Sequence, residues 1–329
     1  MQKNKILLSI IFLFVFNFTA KAESTLTVYA PDYFTSEWGP GPKIKKAFEN
    51  FCSCELQFVP GDPLSRLGLE GSKTKADILI GLNSDITLKA RNLELLAPHN
   101  ILDPMPELPI NWEDNLFLPF NWSYVSFVFD NTKIVDPPTT FVDLANDPRD
   151  YKIIIQDPRT SPAGLALILW IKTIYGNKAS EIWSNLSEKI LTVTKGWSEA
   201  YGMFTAGESE MVLSFSTSPA YHQIIENDNT KSALILEEGH YVYLELAAKV
   251  KGSKNSDLAD KFMKFILSPD FQSIIPLTNW SYPVKLQESS WPPEFQDLPY
   301  PTKALFLNED EASKLISIAL DEWLTIMSR

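Results

Sequence analysis

The sequence predicts an α/β protein built from two lobes with a ligand cleft between them. Apolar runs typical of buried parallel strands alternate with helical segments in residues 26–80 and again in residues 151–194. The 307 residues that follow residue 22 are more than one hydrophobic core usually covers. No repeat or low-complexity linker divides these residues, so we expect strands to carry the chain between the lobes.

Two long runs of strand character, residues 122–129 and 241–251, are the candidate crossings between the lobes. They divide the chain into a discontinuous first lobe, residues 23–125 and 242–329, and a second lobe, residues 126–241. A hinge motion about the crossing strands would open and close the cleft.

The first 22 residues have the pattern of a secretory signal peptide. Lys3 and Lys5 precede an apolar run over residues 6–16, and Ala20 and Ala22 supply the small residues of a cleavage site. The apolar run is too short to span a membrane. We therefore expect residues 1–22 to be removed during export and the remaining protein to be soluble.

The exported chain would be strongly acidic. Its formal net charge is -12 with residues 1–22 and -15 without their three lysines. This charge disfavours binding to nucleic acids and anionic membranes, and it is compatible with a cationic ligand.

In the first lobe, strands are expected at residues 26–29, 54–59 and 76–80. The helix between the first two strands begins near Pro42, because proline fits the first turn of a helix. The next helix follows Asp62, which is a suitable N-cap residue. This alternation indicates a parallel sheet.

In the second lobe, a strand at residues 151–155 is followed by a strongly apolar helix at residues 162–175. After the second crossing, amphipathic helices are expected at residues 258–267 and 309–327.

Core packing alone does not explain residues 192–222. Trp197 follows a Lys-Gly break, and an apolar strand then leads to Tyr221 through a cluster consisting of Phe215, Ser216, Thr217 and Ser218. Hydroxyls and small residues after a strand would offer exposed donors and backbone NH groups to a polar or anionic ligand. An ST-type turn followed by a helix N-cap explains the same pattern without a ligand.

A second candidate anion site is the start of the helix at Ser161 and Pro162. A serine N-cap with proline at the first helical position leaves backbone NH groups at the positive end of the helix dipole. Ser161 also has the simpler interpretation of a cap, and the two roles are compatible.

Ligand sites in α/β sheets lie beyond the carboxyl ends of strands, so the loops there are the candidate cleft walls. The first lobe would contribute Asp32, Gly61, Asp62 and, from the returning chain, Trp280. Aromatic faces in these loops could clamp a flat cationic ring, and the helix end could bind an oxyanion. Taken singly, an aromatic residue more often belongs to a core.

Catalysis and metal binding find little support in the sequence. The common nucleophile, zinc, phosphate-loop and dinucleotide motifs are missing. Ser218 and His222 are close enough for a nucleophile–base pair, but a surface histidine is the simpler interpretation. Cys52 and Cys54 are expected to be two thiols at the start of a strand, with a disulfide as the alternative. We expect no catalytic residue, metal or cofactor.

Several segments together resemble the periplasmic thiamine-binding proteins of bacterial ABC importers. They are LTVYAPDYF, EWGPGPKIKKAFE, KADILIGL, QDPRTSPAGLALILW, TVTKGWSEAYG, SPAYH, EGHY and NWSYPV. The resemblance covers almost all of the chain after residue 25, and QDPRTS and TKGWSEAYG are its specific motifs. It implies the type II periplasmic binding fold and a periplasmic monomer that binds thiamine or its mono- and diphosphate. The implied partners are a membrane permease and an ATPase.

The resemblance also implies roles for the candidate residues. The phosphate or hydroxyl end of the ligand would contact Ser161, Pro162, Trp197 and residues 215–218. The ring system would lie among Tyr221, Trp280 and the loop after the first strand.

This chain departs from the family at three places. Pro31 stands where an aromatic residue is frequent, and Tyr33 is a candidate substitute. Phe215 stands where tyrosine is usual, which removes one phenol hydroxyl. The loop at Gly61 and Asp62 is shorter than in familiar relatives.

Two alternatives differ from a thiamine carrier. An enzyme of the same fold, resembling type I thiaminases, would need a cleft thiolate and a carboxylate base. The two cysteines are expected at the amino end of a strand, away from the cleft, which argues against it. A binding protein for another small cation or a metal–anion complex would need convergent carboxylates or paired tyrosines, and neither pattern is clear.

Overall fold

The computed structural model describes residues 24–105 and 107–328, so the predicted signal peptide lies outside the described residues. These residues form a twelve-stranded sheet. Its strands are β1 (Thr25–Ala30), β2 (Glu55–Pro60), β3 (Ile78–Asn83), β4 (Leu96–Ala97), β5 (Phe117–Asp130), β6 (Ile153–Gln156), β7 (Ile190–Thr194), β8 (Met211–Phe215), β9 (Lys231–Ala233), β10 (His240–Val250), β11 (Tyr282–Pro283) and β12 (Ala304–Leu305).

Local sequence signals begin several of the helices. Pro42, Pro63 and Pro162 lie in first turns, and Asn308 forms a capping box with Glu311. The helices are α1 (Asp32–Thr35), α2 (Gly41–Cys52), α3 (Pro63–Glu70), α4 (Thr87–Arg91), α5 (Phe141–Asn146), α6 (Pro162–Tyr175), α7 (Ala179–Leu186), α8 (Trp197–Thr205), α9 (Pro219–Tyr221), α10 (Ser256–Ile266), α11 (Pro269–Gln272), α12 (Pro293–Gln296) and α13 (Glu309–Met327).

The two predicted crossing strands lie side by side in the middle of the sheet. Its main strand order is β2-β1-β3-β10-β5-β8-β6-β7. Strand β1 is parallel to β2 and β3, and β6 is parallel to β7 and β8. Strands β5 and β10 are antiparallel and join these two parallel sets.

Two large hydrophobic cores lie along this sheet. One contains apolar residues of β1, β2, β3, the first part of β5 and the helices α2 and α10. The other contains apolar residues of the later part of β5 and of α5, β6, α6, α7 and β8. Helix α6 belongs to this second core and is buried on most sides, as its continuous apolar sequence predicts.

The C-terminal helix α13 packs against the second core. Ala312, Ala319 and Trp323 belong to that core, and Lys172 of α6 donates a 2.5 Å hydrogen bond to Glu322. Arg91 of α4 also pairs with Glu309 of α13, so the helix contacts the first lobe as well, and the expected boundary that places residues 242–329 there stays a prediction. Amphipathicity predicts that one face of such a helix is covered, but it does not identify the covering surface.

Cys52 and Cys54 form a disulfide, which corrects the expectation of two free thiols. Ser53 between them has a φ of 51°, a left-handed conformation that reverses the chain at the end of α2. The reversal brings the two Cα atoms to 5.2 Å, within the range that a disulfide spans. The spacing in sequence does not reveal this turn.

Replacing Cys52 and Cys54 together by alanine is expected to lower the free energy of unfolding by at most about 2 kcal/mol, because the bridge closes a very short loop. Ligand affinity should not change, since the bridge lies at the amino end of β2. Urea denaturation and titration calorimetry would measure the two effects, with reduced wild-type protein as the control. Loss of binding by a folded variant would contradict this expectation.

Candidate functional site

The predicted site residues lie at or after the carboxyl ends of strands, except Trp280, which lies between α11 and β11. The loops after β1, β2, β6, β7 and β8 begin at residues 31, 61, 157, 195 and 216. Because β1 and β2 are parallel, and β6, β7 and β8 form a second parallel set, the loops of each set share one edge of the sheet. The loops therefore lie where the sequence analysis expected them, and ligand contact remains a prediction.

The start of α6 forms a compact backbone site. Ser161 is buried, and its side chain caps no NH group of the first helical turn, which corrects the expectation of a side-chain cap. These NH groups have no acceptor within the helix and are available to an oxyanion. Gly164 permits the close approach of the helix to β6, because a Cβ atom there would lie 2.3 Å from the carbonyl oxygen of Gln156.

Trp197 is the first residue of α8, and its half-buried ring is fixed from two directions. Its Nε1 donates a hydrogen bond of 2.8 Å to Ser214 Oγ. Its ring stacks on Tyr201 with the centroids 4.7 Å apart and the planes inclined by 22°. The indole is therefore held in one orientation with part of its surface accessible.

The hydroxyl cluster after β8 is buried, which corrects the expectation of exposed donors. Ser216, Thr217 and Ser218 are all buried. Thr217 Oγ1 lies 2.9 Å from Ser123 Oγ, and Ser218 Oγ lies 2.8 Å from Ser214 Oγ. The hydroxyls of Thr217 and Ser218 therefore stabilise the junction of β8 with β5 and the indole contact, whereas the Ser216 hydroxyl has no hydrogen-bond partner among the described residues. Their roles depend on which strand lies beside β8, which local sequence does not specify.

His222 is also buried, which corrects the expectation of a surface histidine. Its Nε2 lies 2.9 Å from the Tyr201 hydroxyl, and its Nδ1 lies 2.7 Å from Glu226 Oε2. Burial raises the pKa of Tyr201, so its phenol stays protonated at neutral pH. The histidine thus supports the stack beneath Trp197, and no hydrogen bond among the described residues pairs it with Ser218.

Two aromatic contacts join segments from the two sides of the cleft. Tyr221 meets Trp280 edge to face with ring centroids 5.1 Å apart, and Phe215 lies 5.0 Å from Tyr243. Trp280 has a φ of 53°, a left-handed conformation that is costly for a bulky residue. Such strain persists where the surrounding structure enforces it and is frequent at ligand sites.

The first-lobe candidates have different environments. Asp62 accepts hydrogen bonds of 3.1 Å from the NH groups of both Leu64 and Ser65, so its predicted cap role is confirmed. Asp32 is exposed at the start of α1, and Gly61 has a φ of 128°. No hydrogen bond among the described residues joins these three to the second lobe, and their ligand roles stay predictions.

The sequence analysis missed a buried carboxylate beside this part of the cleft. Glu245, in the middle of β10, accepts hydrogen bonds from the Tyr33 hydroxyl and from the side-chain amides of Asn121 and Asn279. Burial raises the pKa of Glu245 and that of Tyr33. A single acidic residue inside the apolar run 241–248 is the signal that could have identified it.

Residues 73–315 match the protein family described as bacterial extracellular solute-binding protein. The chain belongs to this family. Among its relatives, a thiamine-binding periplasmic protein of Brucella suis biovar 1 (strain 1330) is 44% identical over 94% of each chain. One of Escherichia coli (strain K12) is 41% identical over 94% of this chain and 95% of its own.

Solved structures support the same assignment to the solute-binding proteins. A periplasmic thiamin binding protein aligns with a TM-score of 0.89 and 40% identity over 94% of this chain and 98% of its own. A ferric binding protein from Campylobacter jejuni aligns with a TM-score of 0.75 at 21% identity over 92% of this chain and 99% of its own, and it shares the fold. The predicted resemblance and the type II periplasmic binding fold are confirmed.

The relatives are named as binding proteins, which confirms the prediction of a solute-binding protein rather than an enzyme. They are also periplasmic proteins, in agreement with the predicted location. Within residues 24–105 and 107–328, no helix combines the length and apolar character that crossing a membrane requires.

In the described part of this solute-binding protein, one group of side chains has the spacing needed to coordinate a metal ion. His222, Glu226 and Asp228 place their ligand atoms within 4.8 Å of one another. However, Tyr201 engages His222, and the ammonium of Lys231 lies 3.3 Å from Asp228 Oδ2. Hydrogen bonds and ion pairs within the protein therefore explain why these three side chains lie together without a metal ion.

Proposed function

We propose that this protein binds thiamine and its mono- and diphosphate in the cleft between its lobes and delivers them to an ABC importer. The observation that carries the proposal is the 41–44% identity, over 94% of the chain, to relatives named thiamine-binding periplasmic proteins. The membrane partners would be the permease and the ATPase of that importer. Export would use residues 1–22 as a cleavable signal peptide, and the exported protein would act as a monomer.

The ring system of the ligand would lie against Trp280 and Tyr221. An aromatic face attracts a thiazolium cation, and each such contact contributes about 0.5–2 kcal/mol. The half-buried ring of Tyr33 would supply a further aromatic surface from the loop after β1. Asp32 and the loop at Gly61 and Asp62 would border this end of the cleft.

The phosphate or hydroxyl end would lie on the second lobe. The NH groups at the start of α6, beside Ser161 and Pro162, point their partial positive charge toward such a group. Trp197 and the half-buried Phe215 would border the same region, with the backbone of residues 216–218 behind them.

Titration calorimetry on the exported form, freed of co-purified ligand, tests this proposal. We expect sub-micromolar binding of thiamine, thiamine monophosphate and thiamine diphosphate, with the ligand recovered unchanged by chromatography. No heat with any of the three would exclude the thiamine assignment. Consumption of thiamine would favour a thiaminase-like enzyme instead.

A variant at Ser161 locates the phosphate. Ser161→Asp would add a carboxylate beside the first-turn NH groups of α6. The variant should lose at least about tenfold more affinity for thiamine monophosphate than for thiamine, because the added carboxylate would repel the phosphate of the ligand. Ser161→Ala is the matched control, and an equal loss for both ligands would place the phosphate elsewhere.

A further inference from the structure

Glu245 lies at the centre of the sheet, where β10 crosses between the lobes. In the strand register it is opposite Asn121 of β5 and Asn83 of β3, and it is 4% exposed. The β10–β5 ladder has an irregularity directly after this residue. The carboxylate is therefore buried within one of the two crossing strands, beside the other.

Within the described residues, the groups that donate hydrogen bonds to this carboxylate are all neutral. They are the phenol of Tyr33 and the amides of Asn121 and Asn279. Among the described residues, no lysine, arginine or histidine nitrogen lies within 4.0 Å of it, whereas the buried Lys172 and Lys249 each pair with an acid. Glu245 therefore has no cationic partner within salt-bridge distance in the described part of the protein.

A buried carboxylate without a counter-ion is costly, because neutral hydrogen bonds only partly replace the lost hydration. Burial raises the pKa of Glu245, whereas the hydrogen bonds that Tyr33, Asn121 and Asn279 donate to its oxygens lower the pKa and favour the ionised carboxylate. A core position would be filled more stably by an apolar residue of similar size, so a charged group here indicates a role outside folding.

Two of the three donors belong to segments that border the cleft. Tyr33 is in α1, which follows β1, and Asn279 directly precedes Trp280, whose ring meets Tyr221. Asn279 and Tyr33 are both half-buried. A ring bound against Trp280 and Tyr33 would therefore be separated from Glu245 by about one layer of side chains.

We propose that Glu245 supplies the negative charge that makes the cleft select a cationic ring over a neutral ring of the same shape. The inference rests on the proposed function and assigns the charge selectivity of that site. The carboxylate acts directly through its field, and it also polarises the Tyr33 phenol, which makes the ring more attractive to a cation.

The test compares two ligands of nearly identical shape, thiamine and 3-deazathiamine, in which a neutral thiophene replaces the thiazolium. The wild-type exported protein should bind thiamine more tightly than 3-deazathiamine by at least about 30-fold, because unit charges about 8 Å apart at an effective dielectric constant of about 20 contribute that much. Glu245→Gln should reduce this preference by about 30-fold by weakening thiamine alone, and the part that the aromatic faces contribute should remain. Glu245→Asp should retain most of the preference.

A structural role for Glu245 predicts a different result. Loss of its hydrogen bonds would weaken both ligands equally and leave the preference unchanged, which would overturn the inference. Should Glu245→Gln fail to fold, Asn279→Lys is the second variant, because an ammonium at this position would neutralise the carboxylate. The preference of Asn279→Lys for thiamine over 3-deazathiamine should also fall. An unchanged preference would contradict the inference.

The same titrations separate this inference from the proposed function. A wild-type protein that binds neither compound contradicts the thiamine assignment itself. A wild-type protein that binds both compounds with equal affinity supports a thiamine-shaped site and overturns the role of Glu245.

Discussion

Replacement of Trp280 by alanine is expected to lower the affinity for thiamine by about 100-fold, the loss typical of an aromatic residue at the centre of an interface. Trp280 is half-buried, its ring meets Tyr221 from the other lobe, and its left-handed backbone fixes the direction of the side chain. The variant would lose both the stacking surface and the contact that connects the lobes. Titration calorimetry with thiamine would measure the change.

Two controls make the Trp280 experiment specific. Trp280→Phe retains an aromatic face and should lose much less affinity than Trp280→Ala. Phe51→Ala removes an exposed aromatic side chain of α2, which belongs to the first core region, and should leave binding unchanged. Equal affinities of wild type and Trp280→Ala, with both proteins folded, would place the ring of the ligand elsewhere.

Asp85→Asn is expected to make the protein more stable at neutral pH relative to wild type. Asp85 is buried after β3, where Oδ1 accepts a 2.6 Å hydrogen bond from Tyr241 and Oδ2 has no partner among the described residues. Burial, only partly offset by the Tyr241 hydrogen bond, raises the pKa of Asp85 from 3.8 to about 6. The folded protein therefore holds this proton more tightly than the unfolded chain does.

The sign of the pH dependence follows from this raised pKa. The stability contributed by protonated Asp85 is fully present below the unfolded-state pKa of about 4 and is lost as the pH rises through about 6. The stability difference between Asp85→Asn and wild type should therefore shift by about 2–3 kcal/mol in favour of the variant between pH 4 and pH 7.5.

Urea denaturation of the ligand-free proteins at both pH values would measure this shift. Other titrating groups, including Glu245, cancel because they are present in wild type and variant alike. Asp297→Asn, at an exposed position after α12, is the matched control and should show no comparable shift. A stability difference that does not change with pH would contradict the role of Asp85.

The crossing strands β5 and β10 link the residues of these predictions. Strands β5 and β10 run between the two cores, and both Glu245 and Tyr241, the partner of Asp85, belong to β10. The candidate ring site and the candidate phosphate site lie on opposite sides of these strands, at Trp280 and at the start of α6. A closing motion about β5 and β10 would bring both lobes into contact with a ligand bound between them.

The sequence determined the secondary structure elements and the location of the site loops. Periodicity predicted the apolar helix at residues 162–175 with the bounds of α6, and it placed both crossing strands. Asp62 was predicted at a helix start and caps α3, because capping depends on neighbours a few residues away. Ser161 precedes α6 as predicted, but its side chain does not cap that helix. Periodicity and capping depend on residues that are near in sequence, so a short segment is enough to predict them.

Only the tertiary structure decided which side chains meet. Glu245 and Asn121 are 124 residues apart in sequence, yet they are hydrogen-bonded because β10 lies beside β5. The burial of His222 and the packing of α13 on the second core depend equally on distant segments. The pairing of Cys52 with Cys54 depends on a left-handed turn at Ser53, which residue type does not require. The sequence thus predicted which loops form the candidate site, and the long-range packing of strands placed a buried carboxyl group beside them.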